Sequence, residues 1–167
     1  MITKRCGSKI NGTNINHLIN ADHPVLIAPS PHPLQKLIYH CEDYADHNEV
    51  SYNVKISKIM CIQPKGKLRF TVPSFNLSGK VIDIVSTYKY LGFYLSSDMK
   101  DDTDINRQIR GLYTRGNIVI KCFKHCTEPV KILLFKTYCC NMYCSHLWSN
   151  YTNAVFRKLK TSFNRVY

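Results

Sequence analysis

The sequence predicts an α+β chain, mixed α/β at first and then a small bundle of three helices, with the change near residue 99. Two patterns predict it. Up to residue 98, short β-prone runs flank one amphipathic helix; beyond it, apolar residues recur at helical spacing to the C-terminus. Charge divides the chain in nearly the same place. The 167 residues carry 23 Lys+Arg against 11 Asp+Glu, a net +12. Residues 1–104 hold 12 basic and 10 acidic residues, whereas 105–167 hold 11 basic residues and one acid, Glu128. A short segment that basic points to a polyanion, and nucleic acid is the commonest. The competing reading is a solvated basic face with no partner.

Taken in order, Ile15–Ile19 and Val25–Ala28 are apolar runs around Asn20-Ala21-Asp22-His23-Pro24, which predicts a β-hairpin with a polar tip. Ser30 then Pro31 predicts a helix start. Leu34, Leu37, Ile38, Cys41, Tyr44 and Ala45 share one face of that helix. A strand is expected over Val50 to Ile62, with Tyr52, Val54 and Ile56 on one side. Residues 63–80 read as a loop with short strands, and Ser78-Gly79-Lys80 as a turn between Phe75–Leu77 and Val81–Val85. Tyr88 to Leu95 is β-prone apart from Gly92, and Ser97 to Asp104 is an acidic turn and helix start. In the next helix Ile105, Ile109, Leu112, Gly116, Val119, Ile120 and Phe123 form the apolar face. Arg107, Arg110, Lys121 and Lys124 cluster on another, roughly 140° away. Two more helices are expected near 128–148 and 152–166.

Several classes are excluded or weakened. No run approaches the roughly 18 apolar residues of a membrane span. The N-terminus lacks the apolar core of a secretory signal, so the chain is expected to be intracellular, nuclear or cytoplasmic. The Asn-x-Ser/Thr sites at Asn11, Asn76 and Asn150 are accordingly expected to stay unglycosylated. Eight cysteines are expected to be reduced, and mostly buried in helices. Cys122, Cys126, Cys144 and His146 suggest zinc only loosely, since none sits in a tight Cys-x2-Cys knuckle.

A hairpin tip, a helix, a strand and a β-prone Lys-Tyr-Leu-Gly, in that order, resemble the reverse transcriptases of non-LTR (LINE-type) retrotransposons. The resemblance runs from about residue 7 to the C-terminus. Asn20-Ala21-Asp22-His23 is similar to that family's Tyr/Phe-Ala-Asp-Asp tip, and Pro31-His32-Pro33-Leu34 to the helix after it. Tyr52-Asn53-Val54-Lys55-Ile56-Ser57 resembles Phe-Asn-Pro-x-Lys-Ser/Thr, and Lys89-Tyr90-Leu91-Gly92 resembles the primer-grip hairpin. Asp104-Ile105, Arg107-Gln108, Val130-Lys131, Leu134-Phe135, Tyr138-Cys139, Leu147-Trp148 and Asn164 follow at family-like spacing. The resemblance implies a partial polymerase palm over 1–98 and a helical, thumb-like region over 99–167. It also implies RNA-directed DNA polymerase activity with Mg²⁺ in the intact family. Tyr90, Leu91 and Gly92 would then lie near the primer end, and the cationic helix along the template–primer duplex.

That chemistry needs two divalent ions roughly 4 Å apart held by carboxylates. Here Asp22 has His23 as its neighbour, a poor Mg²⁺ ligand. Asn20 replaces the tip aromatic, Pro24 replaces leucine and removes a donor from the return strand, and Ile56 replaces the motif lysine. Lys55 would point to the other face of the strand. The family's other metal-binding Asp belongs to a strand that would precede this chain. No catalysis, cofactor or small-molecule substrate is therefore expected of the chain alone, and Asp22 is vestigial. Each departure is one base change, which reads as neutral decay, with domestication as the rival. What remains expected is weak, sequence-independent binding to nucleic-acid duplexes through Arg107, Arg110, Lys121 and Lys124. The alternatives are a subunit completing a polymerase in trans and a structural or zinc-linked interaction protein. Residues 1–98 are expected to leave sheet edges uncovered and to aggregate, whereas 99–167 should fold through local contacts.

Overall fold

The computed structural model describes residues 7–62 and 71–166. The chain is α+β, with four α-helices and small sheets among the described residues, antiparallel except for one strand pair. These residues fall into two compact units, one of residues 7–61 and 71–85, the other of residue 62 with 86–166.

In the first unit β1 (Ser8–Ile10) and β2 (Thr13–Ile15) pair around Asn11-Gly12, a hairpin the sequence reading passes over. The expected hairpin follows as β3 (His17–Asn20) and β4 (His23–Leu26), with Asn20 opposite His23. Its loop is only Ala21-Asp22, because pairing continues into the polar residues. Pro24 does not break the return strand, and the register explains why. The Ile27 N–H donates to the Asn16 carbonyl at 2.8 Å, which makes Asn16 and Ile27 a hydrogen-bonded position. Alternation then makes Ile19 opposite Pro24 a non-hydrogen-bonded one. The missing proline N–H falls on the outer edge of β4, where it denies a donor to an incoming strand.

Of the two loop residues only Ala21 has positive φ, at 52°, and no glycine relieves it. A Cβ there costs roughly 1–2 kcal/mol. Ala21→Gly is expected to raise stability by up to about 1 kcal/mol, the greater freedom of glycine in the unfolded chain offsetting the rest. Urea unfolding checks this; a lower midpoint would contradict the strain.

Helix α1 (Pro31–His47) begins as expected, with Pro31 in its first turn. Leu37, Ile38 and Ala45 are buried and Leu34 packs against the core. Tyr44 is exposed, a correction with a simple cause: at 100° per residue it lies about 80° from the stripe's centre. β5 (Lys58–Ile59), β6 (Phe75–Leu77) and β7 (Lys80–Ile84) form a sheet in the order β5-β7-β6, with β5 parallel to β7. Ile38, Ile59, Phe75, Leu77 and Ile82 make the core, with Tyr52 and Val54 packed against it. The edge of β6 is covered, contrary to expectation. Gln35 donates to the Asn76 carbonyl and accepts its N–H (3.1 and 3.2 Å), and Glu42 accepts the Ser78 N–H.

Residues 50–57 are not strand. The Asn53 side chain accepts the Lys55 N–H at 3.1 Å, and its carbonyl accepts the Ile56 and Ser57 N–H groups and the Ser57 hydroxyl. This competition turns the chain and leaves two residues of β5. Ile56 is thrown outward, so strand alternation no longer orders Lys55 and Ile56. Residues 63–70 of the expected loop lie outside the described residues.

In the second unit β8 (Thr87–Tyr90) and β9 (Phe93–Ser96) pair around Leu91-Gly92. Asn11-Gly12, Ser78-Gly79 and Leu91-Gly92 all have both central residues at positive φ, the twist that suits two-residue hairpins. Helix α2 (Asp102–Cys122) buries Ile105, Ile109, Leu112, Gly116 and Val119. Ile120 and Phe123 are exposed, the latter because the helix has ended. The helix expected over 128–148 breaks into α3 (Glu128–Leu134), a π-helical turn (Phe135–Cys139) and a 3₁₀ turn (Ser145–Leu147), before α4 (Asn153–Val166). The π turn keeps both Phe135 and Cys139 buried against Leu112 and Val119. Leu159 of α4 packs with Ile105 and Ile109. A Cβ at Gly116 would overlap the Val166 side chain, so the glycine is what lets α4 approach α2. β9 packs on α2, which is why the hairpin groups with the helices although the sequence reading draws its boundary at 98–99. No helix among the described residues is long and apolar enough to cross a membrane.

Candidate nucleic-acid interface

At the β3–β4 turn the side chains of Asp22 and His23 are 87% and 54% exposed, with His23 Nδ1 3.6 Å from Asp22 Oδ1. Ile56 stands exposed on its own turn. Among the described residues no group of three or more His, Cys, Asp or Glu side chains is placed to hold a metal. Cys122 is exposed, Cys126 and Cys144 are half-buried, and neither they nor His146 gather into such a group. Among the described residues the expectation of buried helical thiols holds for Cys139 alone. Burial pushes that thiol's pKa up against the pull of Arg115, so it stays a protonated core group. Cys6 lies outside the described residues.

The Lys89-Tyr90-Leu91-Gly92 segment forms the end of β8 and its turn, with Leu91 exposed at the tip. Gly92 serves two needs: its φ is 84°, and a Cβ there would come within 2.8 Å of the Tyr143 ring. The face beside the turn is thus already occupied by a side chain of the same unit.

Two residues singled out in the helical half, Arg107 and Trp148, meet at the buried carboxylate of a third, Asp104. Asp104 is fully buried. It accepts the Tyr94 N–H (3.3 Å), the Arg107 Nε–H (2.9 Å) and the Trp148 Nε1–H (3.0 Å). Arg107 Nη2 lies 2.7 Å from the same carboxylate, and its guanidinium sits 5.7 Å from the centre of the Tyr94 ring. One turn along, Gln108 donates to the Tyr143 carbonyl at 2.9 Å. At the helix start, Asp101 accepts the Ser149 and Asn150 N–H groups, and Asp102 accepts that of Thr152. Asp104, Arg107, Gln108 and Trp148 therefore have a structural account in full: they tie the hairpin, α2 and the segment leading into α4 together.

Compared with protein-family models, with curated proteins and with solved structures, the chain finds no match.

Of the four cations grouped by the helical wheel, the structure leaves two on the expected face. Arg107 is committed to Asp104, its side chain 28% exposed. Lys124 is exposed but lies in the turn after α2 ends at Cys122. Arg110 and Lys121 are exposed, with no acidic partner among the described residues. They lie eleven residues apart, about 16 Å along the helix and within about 20° of each other. Exposed Thr114 and Asn117 lie between them, opposite the buried stripe. Such a row can neutralise phosphates, and its polar flanks can hydrogen-bond to phosphate oxygens.

Proposed function

We propose that the chain is a non-catalytic nucleic-acid-binding module of reverse transcriptase type. Residues 1–98 stand for part of a palm, and 99–167 for a thumb-like region that rests on duplex backbones. The observation that carries the binding is the row of Arg110 and Lys121, continued by Lys124. These cations are exposed, without acidic partners among the described residues, and lie in a half whose charge is +10. The ordered motifs from Asn20 to Asn164 support the family. The tip argues against metal-dependent phosphoryl transfer: Asp22 faces a histidine where the chemistry needs a carboxylate, and both side chains stand in solvent. Contacts from such a row go to phosphates, so binding is sequence-independent and micromolar or weaker near physiological salt.

Three neutralised phosphates give a slope of log K against log salt of about −2.7. Fluorescence anisotropy on a mixed-sequence RNA–DNA hybrid at several salt concentrations measures it. Replacing Arg110, Lys121 and Lys124 together by Gln is expected to abolish most of that slope. A triple variant with unchanged affinity and slope would sink the assignment.

A further inference from the structure

We infer that the groove between α4 and the segment after the π turn binds an apolar molecule carrying one carboxylate, such as a medium-chain fatty acid. The groove lies within the second unit and stands independently of the nucleic-acid reading, since α4 packs on the buried stripe of α2, opposite Arg110 and Lys121. Its volume is about 360 Å³, within the ordinary range for small-ligand sites. It exists because the helix expected over 128–148 breaks. Beyond Cys139 the chain is no longer α-helical, and α4 packs against an irregular segment instead of a second helix. Met142, Leu159 and Phe163, the more buried lining residues, make an apolar floor, and the small side chains of Cys140 and Ser145 line the space without filling it. Two aromatic contacts hold its shape. Phe163 meets the Phe135 ring edge-on at 5.5 Å, and Phe156, 46% exposed, stacks on Tyr151 at 5.4 Å. Walls fixed in this way lose little freedom when a ligand arrives.

The rim selects the ligand's chemistry. Phe156, Lys160 and Asn164 recur at four-residue intervals, so one flank of α4 brings a ring, an ammonium and an amide to the groove. No Asp or Glu lines it, and Lys160 has no acidic partner among the described residues. A carboxylate head therefore finds its counter-charge at Lys160 and hydrogen-bond donors in Asn164 and Ser145, while an apolar body covers the floor. A single cation suits a monoanion. A polyanion would gain little from it, and an apolar floor offers a sugar–phosphate strand nothing to bind.

Half-buried Cys140 makes occupancy readable, because a molecule in the groove shields its thiol. The test is alkylation of the full chain by N-ethylmaleimide, with and without decanoate, followed by peptide mass spectrometry. Cys122, exposed at the end of α2 and outside the groove, is the internal reference. Decanoate is expected to slow Cys140 several-fold and leave Cys122 unchanged, with half-protection at roughly 0.1–1 mM, as a ligand of its size allows. Lys160→Gln should raise that concentration up to about fivefold, the range for an exposed ion pair. Phe156→Ala should raise it about threefold to tenfold through loss of the aromatic wall. Both side chains are exposed, and circular dichroism checks each fold. Titration calorimetry with the same ligand and variants reads binding directly if Cys140 reacts too slowly to time. No binding by calorimetry, or equal slowing of Cys140 and Cys122, overturns the site. Equal protection by decanol overturns the carboxylate, and equal protection by inorganic phosphate makes the groove a phosphate site and overturns the apolar ligand.

Discussion

Asp104→Ala is expected to cost the second unit about 3–5 kcal/mol, the range for removing one partner of a buried ion pair. The carboxylate is fully buried, and its loss leaves the Arg107 guanidinium without a counter-charge. The Trp148 indole and the Tyr94 amide also lose their acceptor. Each stranded donor is worth about 1–3 kcal/mol, and these contributions overlap rather than add. Domains are stable by only about 5–15 kcal/mol, so the loss would bring the helices close to unfolding at room temperature. Asp104→Asn should recover only part of it, because an amide presents hydrogens where three donors converge. The diagnostic variant is Asp104→Ala/Arg107→Met, which removes both charges and should be more stable than Asp104→Ala alone. Urea unfolding followed by far-ultraviolet circular dichroism gives all four free energies. An Asp104→Ala cost below about 1 kcal/mol, or a double variant weaker than the single, would show that Asp104 does not organise the unit.

Periodicity found α1, α2 and α4 because apolar spacing along a helix is local, and it survives whatever the rest of the chain does. It failed over 128–148 for the opposite reason. The apolar pattern there runs on, yet the chain must leave the helix to bring the Tyr143 carbonyl to Gln108 and Trp148 to Asp104. Those demands are tertiary and invisible in a window of residues. The turn at 50–57 is an intermediate case: Asn53 signals a turn, but the β-prone neighbours outweighed it. The Asn11-Gly12 hairpin was legible, since that dipeptide is a strong two-residue hairpin signal.

Of the candidate site, the sign and side of the charge were readable, and which cations stay available was only partly so. The three-residue spacing of Asp104 and Arg107 already allows an ion pair, which withdraws Arg107. Pro129 signals a helix boundary just beyond Lys124. The place of Lys158 beside Asn106 of α2 needed the packing of α4 on α2, which no local pattern encodes.

A cut at residue 98–99 should therefore be far more damaging than one at 85–86. Fragment 86–167 keeps the β8–β9 hairpin, whose Tyr94 amide and ring both serve the Asp104–Arg107 pair and whose Gly92 lies under the Tyr143 ring. Fragment 99–167 loses all of these and bares the part of α2 on which β9 packs. It retains α2 and α4, so its helical content falls less than its cooperativity. The expected difference is about 3 kcal/mol or more, from lost apolar burial and a stranded donor pattern around a buried carboxylate. Trp148 is the sole tryptophan and donates to Asp104, so its fluorescence reports on the centre of the network. Fragment 86–167 should show one sigmoidal transition, coincident by tryptophan emission and circular dichroism. Fragment 99–167 should show a broad loss of helix and an emission already shifted to that of solvated indole. Equal midpoints and equal cooperativity for the two fragments would mean that the three helices are self-sufficient, as the sequence alone led us to expect, and that the hairpin is only an attachment to them.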